Sequence, residues 1–195
     1  MNVYDFDKTI YKYDSPTKFY FFCIKRHKKL IFHLFKTAFW GALKGLGIIS
    51  LQKFKEKFFS FVQKIPNIEQ EVKKFWDKEF ANINYFYFDK RKKGDVICSA
   101  SPYFLIEDIA KRVNESSIVI CSEIDEKTGK FASGAKNCKG EEKVARLREA
   151  GYEKFEQGYG DSKSDIPMLK MCEQPFRIKN GKVTTFNEKY FEKNK

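Results

Sequence analysis

Two aspartates two residues apart, in Asp5-Phe6-Asp7-Lys8-Thr9, open a series of four short segments whose residue types suit phosphoryl transfer. Ser99 follows an apolar run, Lys143 opens a helical stretch, and Gly160-Asp161-Ser162-Lys163-Ser164-Asp165 supplies a second acidic pair. Asp5 is the candidate nucleophile, because a carboxylate that attacks phosphorus divides one difficult displacement into two easier ones. Asp7 is the candidate acid and base, protonating the leaving alcohol and then deprotonating the water that cleaves the acyl phosphate. Ser99 offers its hydroxyl to a phosphoryl oxygen, with the backbone N–H groups that follow it, from Ala100 onward, and a helix beginning at Pro102 adding positive potential. Lys143 would place a point charge on the phosphate and on Asp5 as charge builds up, and Lys139 in the preceding loop is its rival. Asp161 can reach Mg²⁺, which takes one or two carboxylates besides waters and substrate oxygens, and Asp165 would orient that shell or bind through water. Each segment alone has a plainer account: a strand ending in a turn, a helix-capping serine, one lysine among many, caps at Ser164 and Asp165. Occurring together and in this order, they favour the chemical account.

The elements around these segments alternate. Residues 2–6, 95–98, 117–121 and 155–159 read as short buried strands, and residues 102–113, 141–150 and 164–171 as helices. Two further strands are expected on either side of Asn180-Gly181, and a small hairpin or flap over residues 123–135. This alternation predicts an α/β fold with a doubly wound parallel sheet, which collects ligands at the carboxyl ends of its strands, where Asp5 and Asp161 would stand. Residues 15–80 are helical in pattern, with Ser15 as an N-cap and Pro16 at the first helical position.

A chain of 195 residues holds one good core and has length to spare for a small lid. The net charge of +12 points to an anionic partner, and its location is informative: residues 15–93 carry 18 Lys and Arg against 6 Asp and Glu, an excess equal to that of the whole chain. Five cysteines, odd in number and without C-x-x-C spacing, predict free thiols in a reducing cytoplasm. The acidic pair begins at residue 5, which leaves no room before it for a charged leader and apolar segment. A basic module that binds nucleic acid through Lys, Arg and aromatic stacking is a different reading of the same charge. No RNP-like or zinc signature supports it.

Taken in order, the four segments resemble the motifs of the haloacid dehalogenase superfamily of phosphohydrolases, over the whole chain. Ser99-Ala100-Ser101-Pro102 and Cys138-x-Gly140-x-x-Lys143-Val144 are similar to its subfamily IB, which contains phosphoserine phosphatases and phosphatidylglycerophosphate phosphatases. The resemblance implies a Rossmann-like core of residues 1–14 and 94–195 with an inserted helical type 1 cap, residues 15–93. It implies Mg²⁺ held by the Asp5 side chain, the Asp7 backbone carbonyl and Asp161, with Ser99 and Ala100 on the phosphate. It also selects Lys143 over Lys139. Phosphoserine phosphatases carry a Glu nine residues after the nucleophile that binds the substrate amino group; here that position is the shorter Asp14. The similarity therefore speaks to the reaction more than to the amino-acid substrate.

The basic segment has its own pattern. On a helical wheel Lys29, His33, Lys36, Trp40 and Lys44 share one narrow stripe, and Leu30, Ile31, Leu34, Phe35, Ala38, Phe39, Ala42 and Leu46 cover most of the rest. Lysines and glycines make it a poor spanning helix and a fair one for lying at a bilayer surface, which brings a phospholipid headgroup phosphate, and peripheral membrane contact, among the expected partners beside phosphorylated small molecules. The competing expectation places Phe19, Phe22, Phe32, Phe35, Phe39, Phe54, Phe58 and Phe61 in the cap's own core, lysines outward. His27 and His33 lack a metal-binding spacing and are expected to be surface or packing residues.

Overall fold

The computed structural model describes residues 1–189 of the chain. Strand β1 (Asn2–Tyr4) is followed by five α-helices, α1 (Ser15–Arg26), α2 (Ile31–Gly45), α3 (Leu51–Phe59), α4 (Ile68–Glu79) and α5 (Tyr85–Lys90), before β2 (Val96–Pro102). The chain then alternates through α6 (Tyr103–Val113), β3 (Ile118–Ser122), α7 (Glu141–Glu149), β4 (Phe155–Gly160) and the short α8 (Ile166–Leu169), and ends in β5 (Cys172–Lys179) and β6 (Lys182–Thr185). The sheet order is β3-β2-β1-β4-β5-β6, with β1 to β5 parallel and β6 antiparallel to β5. The α/β doubly wound sheet expected from the sequence is thus present, with one antiparallel edge strand.

Period-two alternation sorts the inner strands onto two cores. Val3, Val96 and Cys98 face Leu147, Met168 and Leu169 beneath α7 and α8. Tyr4 and Ile97 face the opposite way, onto α6 and the helical insertion. Tyr4 stacks on Tyr159 at 4.8 Å between ring centroids, and Tyr159 on Phe176 at 5.2 Å, so aromatic rings bind β1, β4 and β5 side by side. Because β1 lies between β2 and β4, the chain winds one way from β1 and later crosses back. The carboxyl ends of β1 and β4 flank the point where strand order reverses.

Local differences from the sequence reading have physical reasons. Asp14, not Ser15, caps α1: its Oδ1 accepts from Thr17 N at 3.0 Å, which moves the cap back one residue. The helical insertion is broken at residues 27–30, 46–50 and 65–67, the last containing Pro66. Residues 123–135 form a turn held by one bridge, Ile124 to Phe131, because Asp125 spends its carboxylate on Lys127 N and Thr128 N. The helix expected over residues 164–171 shrinks to α8 with one 3₁₀ turn before it. The final hairpin is as expected, with Asn180 (φ 52°) and Gly181 (φ 74°) both in the left-handed region that a two-residue turn of this hand requires. All five cysteines carry free thiols.

Candidate active site

Asp5 is the first residue beyond β1, and its backbone N–H donates to Tyr159 O on β4 at 2.8 Å. The chain then turns sharply: Lys8 sits at φ 59°, an uncommon conformation for a residue with a side chain and one that concentrates at functional loops. The Asp5 carboxylate is buried and accepts from Lys143 Nζ at 2.6 Å. Lys143 is fully buried and donates also to Asp165 Oδ1 at 2.7 Å. Asp165 Oδ2 accepts from Ser162 N at 3.0 Å and Ser162 Oγ at 2.8 Å, so both of its oxygens are engaged. Gly160 makes this approach feasible, because a Cβ there would lie 2.6 Å from Asp165 Cβ.

Burial opposes the charge on Lys143, yet Asp165 and Asp5 outweigh it and hold its pKa above the ordinary lysine value. Burial likewise disfavours the Asp165 carboxylate, and the Lys143 ammonium with the Ser162 hydrogen bonds more than compensates, holding its pKa low. Asp5 stays raised, by burial first and by Asp165 next. Asp161 is pushed up to about 6 by burial and by Asp165. The Lys143 ammonium is shared between two carboxylates, with a third, Asp161, beside them.

That surplus of negative charge is what a divalent cation would answer. Oxygens of Asp5, Asp161 and Asp165 lie within 4.8 Å of one another, and the hard carboxylate donors suit Mg²⁺. The donor set therefore fits the ion. Asp7 is not in this cluster by its side chain: Oδ1 accepts from Ser15 N at 2.7 Å and Oδ2 from Ser101 Oγ. The carboxylate of Asp7 is thus spent on Ser15 and Ser101, and its backbone carbonyl is the group left to face the cluster. Burial, and then Asp14, push its carboxyl up to about 6, which suits a group that must hold and release a proton near neutrality.

Asp5, Asp7, Ser99, Ala100, Lys143, Asp161 and Asp165 all line one cleft of about 400 Å³. Ser99 is buried and accepts from Ser101 N at 3.1 Å. The helix expected to start at Pro102 begins at Tyr103, since β2 runs on through Pro102. Lys139 also lines the cleft but is exposed, while Lys143 alone of the two touches Asp5. Asp14 is at the cleft too, with one carboxylate oxygen committed to capping α1.

The sequence reading missed Lys55. It reaches from α3 into the cleft and donates to Ala100 O at 2.7 Å and Asn137 Oδ1 at 2.6 Å, with its pKa lowered to about 8 by burial. Nothing in the sequence separates it from the other insertion lysines, because its position depends on how α3 docks. Ser15 and Ser101, which hold Asp7, were also missed; Ser101 had a signal, standing two residues after Ser99 on the same face of one strand.

Residues 3–170 match the family model for haloacid dehalogenase-like hydrolases. The chain belongs to this family. No curated protein matches the sequence significantly. Among solved structures, a Bordetella pertussis Tohama I protein of unknown function is similar at a TM-score of 0.71, with 15% identity over 90% of this chain and 87% of that one. A phosphoserine phosphohydrolase-like protein from Francisella tularensis subsp. tularensis SCHU S4 is similar at 0.54, with 18% identity over 87% and 81%. A structure described as a phospho-aspartyl intermediate analogue of phosphoserine phosphatase is similar at 0.50, with 16% identity over 89% and 83%. At these identities the likeness is one of fold.

Proposed function

We propose that this hydrolase is a Mg²⁺-dependent phosphomonoesterase that works through a phosphorylated Asp5. The observation that carries the reading is the buried Asp5–Lys143–Asp165 chain beside an Asp7 whose carboxylate is held apart from it, two carboxyl groups of one motif in two different environments. An Asp5 oxygen attacks phosphorus and the ester P–O bond breaks, with Asp7 giving its proton to the departing alkoxide. Asp7 then takes a proton from water, the resulting hydroxide attacks the same phosphorus, and the Asp5–phosphorus bond breaks to release phosphate. Lys143 holds Asp5 in place and neutralises charge on the phosphoryl oxygens. Ser99 and the backbone N–H of Ala100 orient them. The carboxylates of Asp5 and Asp161 and the backbone carbonyl of Asp7 would hold Mg²⁺, which would supply further neutralisation of the phosphoryl group.

In this reading residues 15–93 are a cap over a core made of residues 1–14 and 94–195, and the cap selects the substrate. Its side of the cleft is apolar, with Leu51, Phe54, Phe58 and Phe59 around Lys55. An anion attached to an apolar body matches that wall, which favours a phospholipid-headgroup phosphate such as phosphatidylglycerophosphate. Phosphoserine is the second reading, supported by the fold neighbours, and weakened by Asp14, which is shorter than Glu and has one oxygen committed to Thr17.

Phosphate release from each ester, with Mg²⁺ or with chelator, tests this. Hydrolysis is expected only with the cation, and Asp5→Asn is expected to lower kcat on the order of 10⁴-fold. An Asp5→Asn enzyme as active as the wild type would sink the proposal.

A further inference from the structure

Helix α2 is rich in apolar residues and buries almost none of them. Nine of its 15 residues are apolar, yet His33 is the one residue of the helix that is buried. His33 is fixed there by Tyr20 Oη at 2.9 Å and Ser60 Oγ at 3.0 Å, so one member of the stripe of Lys29, His33, Lys36, Trp40 and Lys44 is drawn inward, Trp40 is half-buried and its lysines stay exposed. The apolar arc turns outward: Phe32 is 70% exposed, Phe35 71%, Phe39 59%, and Leu46, just past the helix, 75%. The phenylalanines expected in a cap core have divided, with Phe19 and Phe61 buried and these three in the open. At 100° per residue Ile31, Phe32, Phe35, Phe39 and Leu46 fall within an arc of about 120°. Contiguous large apolar side chains on a surface mark a contact site.

The rim of this face decides what covers it. Lys28 and Lys29 precede the helix, Lys36 runs along its edge and Lys44 stands at its end, all exposed. Residues 15–55 contain nine Lys and Arg and no Asp or Glu. A second copy of the chain docking through the same patch would oppose two uniformly positive rims, which is unfavourable for a two-fold contact. An anionic lipid surface complements both the charge and the phenylalanines. At 15 residues the helix is roughly 22 Å long, short of the bilayer's apolar thickness. No helix among the described residues is long and apolar enough to cross a membrane.

We propose that α2 is an interfacial helix that seats this protein on an anionic phospholipid surface, with Phe32, Phe35, Phe39 and Leu46 entering the headgroup–acyl boundary and the lysines on the headgroups. Thr37, on the opposite side of α2, lines the cleft, so docking sets the catalytic cleft about one helix diameter, roughly 10 Å, from the lipid. The inference deepens the phosphatase reading by naming the surface from which a lipid-linked phosphate ester would arrive, and the docking itself requires no hydrolysis.

Co-sedimentation of the full chain with phosphatidylcholine vesicles, with and without phosphatidylglycerol, at about 0.1 M salt, tests it. Binding is expected with the anionic vesicles, equally for the wild type and for catalytically dead Asp5→Asn. A combined Phe32→Ser, Phe35→Ser, Phe39→Ser variant is expected to lose more than about 100-fold in partitioning, and a Lys28→Glu, Lys29→Glu, Lys36→Glu variant also more than about 100-fold, on anionic vesicles only. Both should keep the wild-type unfolding temperature and soluble-ester hydrolysis, since every altered side chain is exposed and outside the cleft. Wild-type protein left in the supernatant, or a serine variant that binds as the wild type does, overturns the proposal. So does a concentration-dependent dimer in sedimentation velocity that the serine variant abolishes, which would assign the face to a second copy. Vesicle binding without hydrolysis of any ester would keep the docking and remove the phosphatase reading.

Discussion

The carboxyl ends of β1 and β4 and the outer face of α2 break the ordinary rule of burial in opposite directions. At the strand ends an ammonium and two carboxylates are taken out of water beside a half-buried third, Asp161, and the contacts from Lys143 to Asp5 and to Asp165 are 2.6 and 2.7 Å. On α2, phenylalanines are left in water around a single buried histidine. Neither arrangement is what stability alone selects: burying charges carries a desolvation penalty that pairing only partly offsets, and exposing large apolar groups forgoes their burial. The contrast separates two kinds of functional surface within one chain. One is preorganised, its buried charges already paired. The other lacks its counterpart.

Removing Lys143 should break the first of these most severely. Lys143→Met leaves Asp5 and Asp165 buried without their shared cation, and uncoupling one member of a buried pair costs about 3–5 kcal/mol. In the variant both carboxylates would carry raised pKa values, so the deficit should be largest near neutral pH and shrink as pH falls and they take up protons. Urea unfolding at pH 7.5 and pH 5 measures this, and saturating Mg²⁺ should recover part of the loss by replacing the missing positive charge. kcat should fall on the order of 10²- to 10³-fold. A variant equally stable at both pH values, with or without the cation, would mean that the carboxylates do not depend on Lys143.

Lys55 allows a finer cut, because it belongs to the insertion and acts at the cleft. With its pKa lowered to about 8, it is charged below that pH and neutral above it. A role in holding an anionic substrate therefore predicts a KM that rises as pH passes through about 8, with kcat less affected. Lys55→Met should raise KM about tenfold and flatten that rise. An unchanged KM profile in the variant would restrict Lys55 to fastening the insertion, through Ala100 O and Asn137 Oδ1.

The same contrast accounts for how much of the molecule was legible in its sequence. The core was legible because its information is local: Asp5 and Asp161 each end a strand, and a doubly wound sheet must bring such ends together. Lys143 was legible only through the pattern around Cys138 and Gly140, since spacing left Lys139 open and only the docking of α7 puts one lysine on Asp5 and the other at the surface. The insertion was misread where tertiary packing overrides a wheel. On the wheel Lys29, His33, Lys36, Trp40 and Lys44 share one stripe with no sign of which member packs inward. Yet His33 finds three hydroxyl partners inside and the Trp40 ring centroid lies 4.9 Å from Lys57 Nζ, so part of that stripe is inward and the wider apolar arc is not. Lys55 was invisible for the same reason.

The smallest effect expected is also the one that ties the two regions together. His33 holds α2 against the rest of the insertion, and burial first, then Lys64 and Lys36, lower its pKa below the ordinary histidine value. The unfolded chain, with an ordinary histidine near 6.5, takes up that proton before the folded one does. Stability therefore falls as pH drops below about 6.5, down to the folded pKa, and is regained as pH rises. Paired carboxylates such as Glu71, whose pKa is held low by Arg26 against the opposing effect of burial, also lose stability in acid, so the informative quantity is a difference. His33→Gln can keep hydrogen bonds to Tyr20 or Ser60 and cannot take up the proton. Its unfolding temperature should decline less steeply than the wild type's between pH 7 and pH 5. If the two slopes coincide, the hold on α2 comes from Thr37, Trp40 and the half-buried apolar contacts instead, and acid would leave the exposed face as firmly presented as it is at neutral pH.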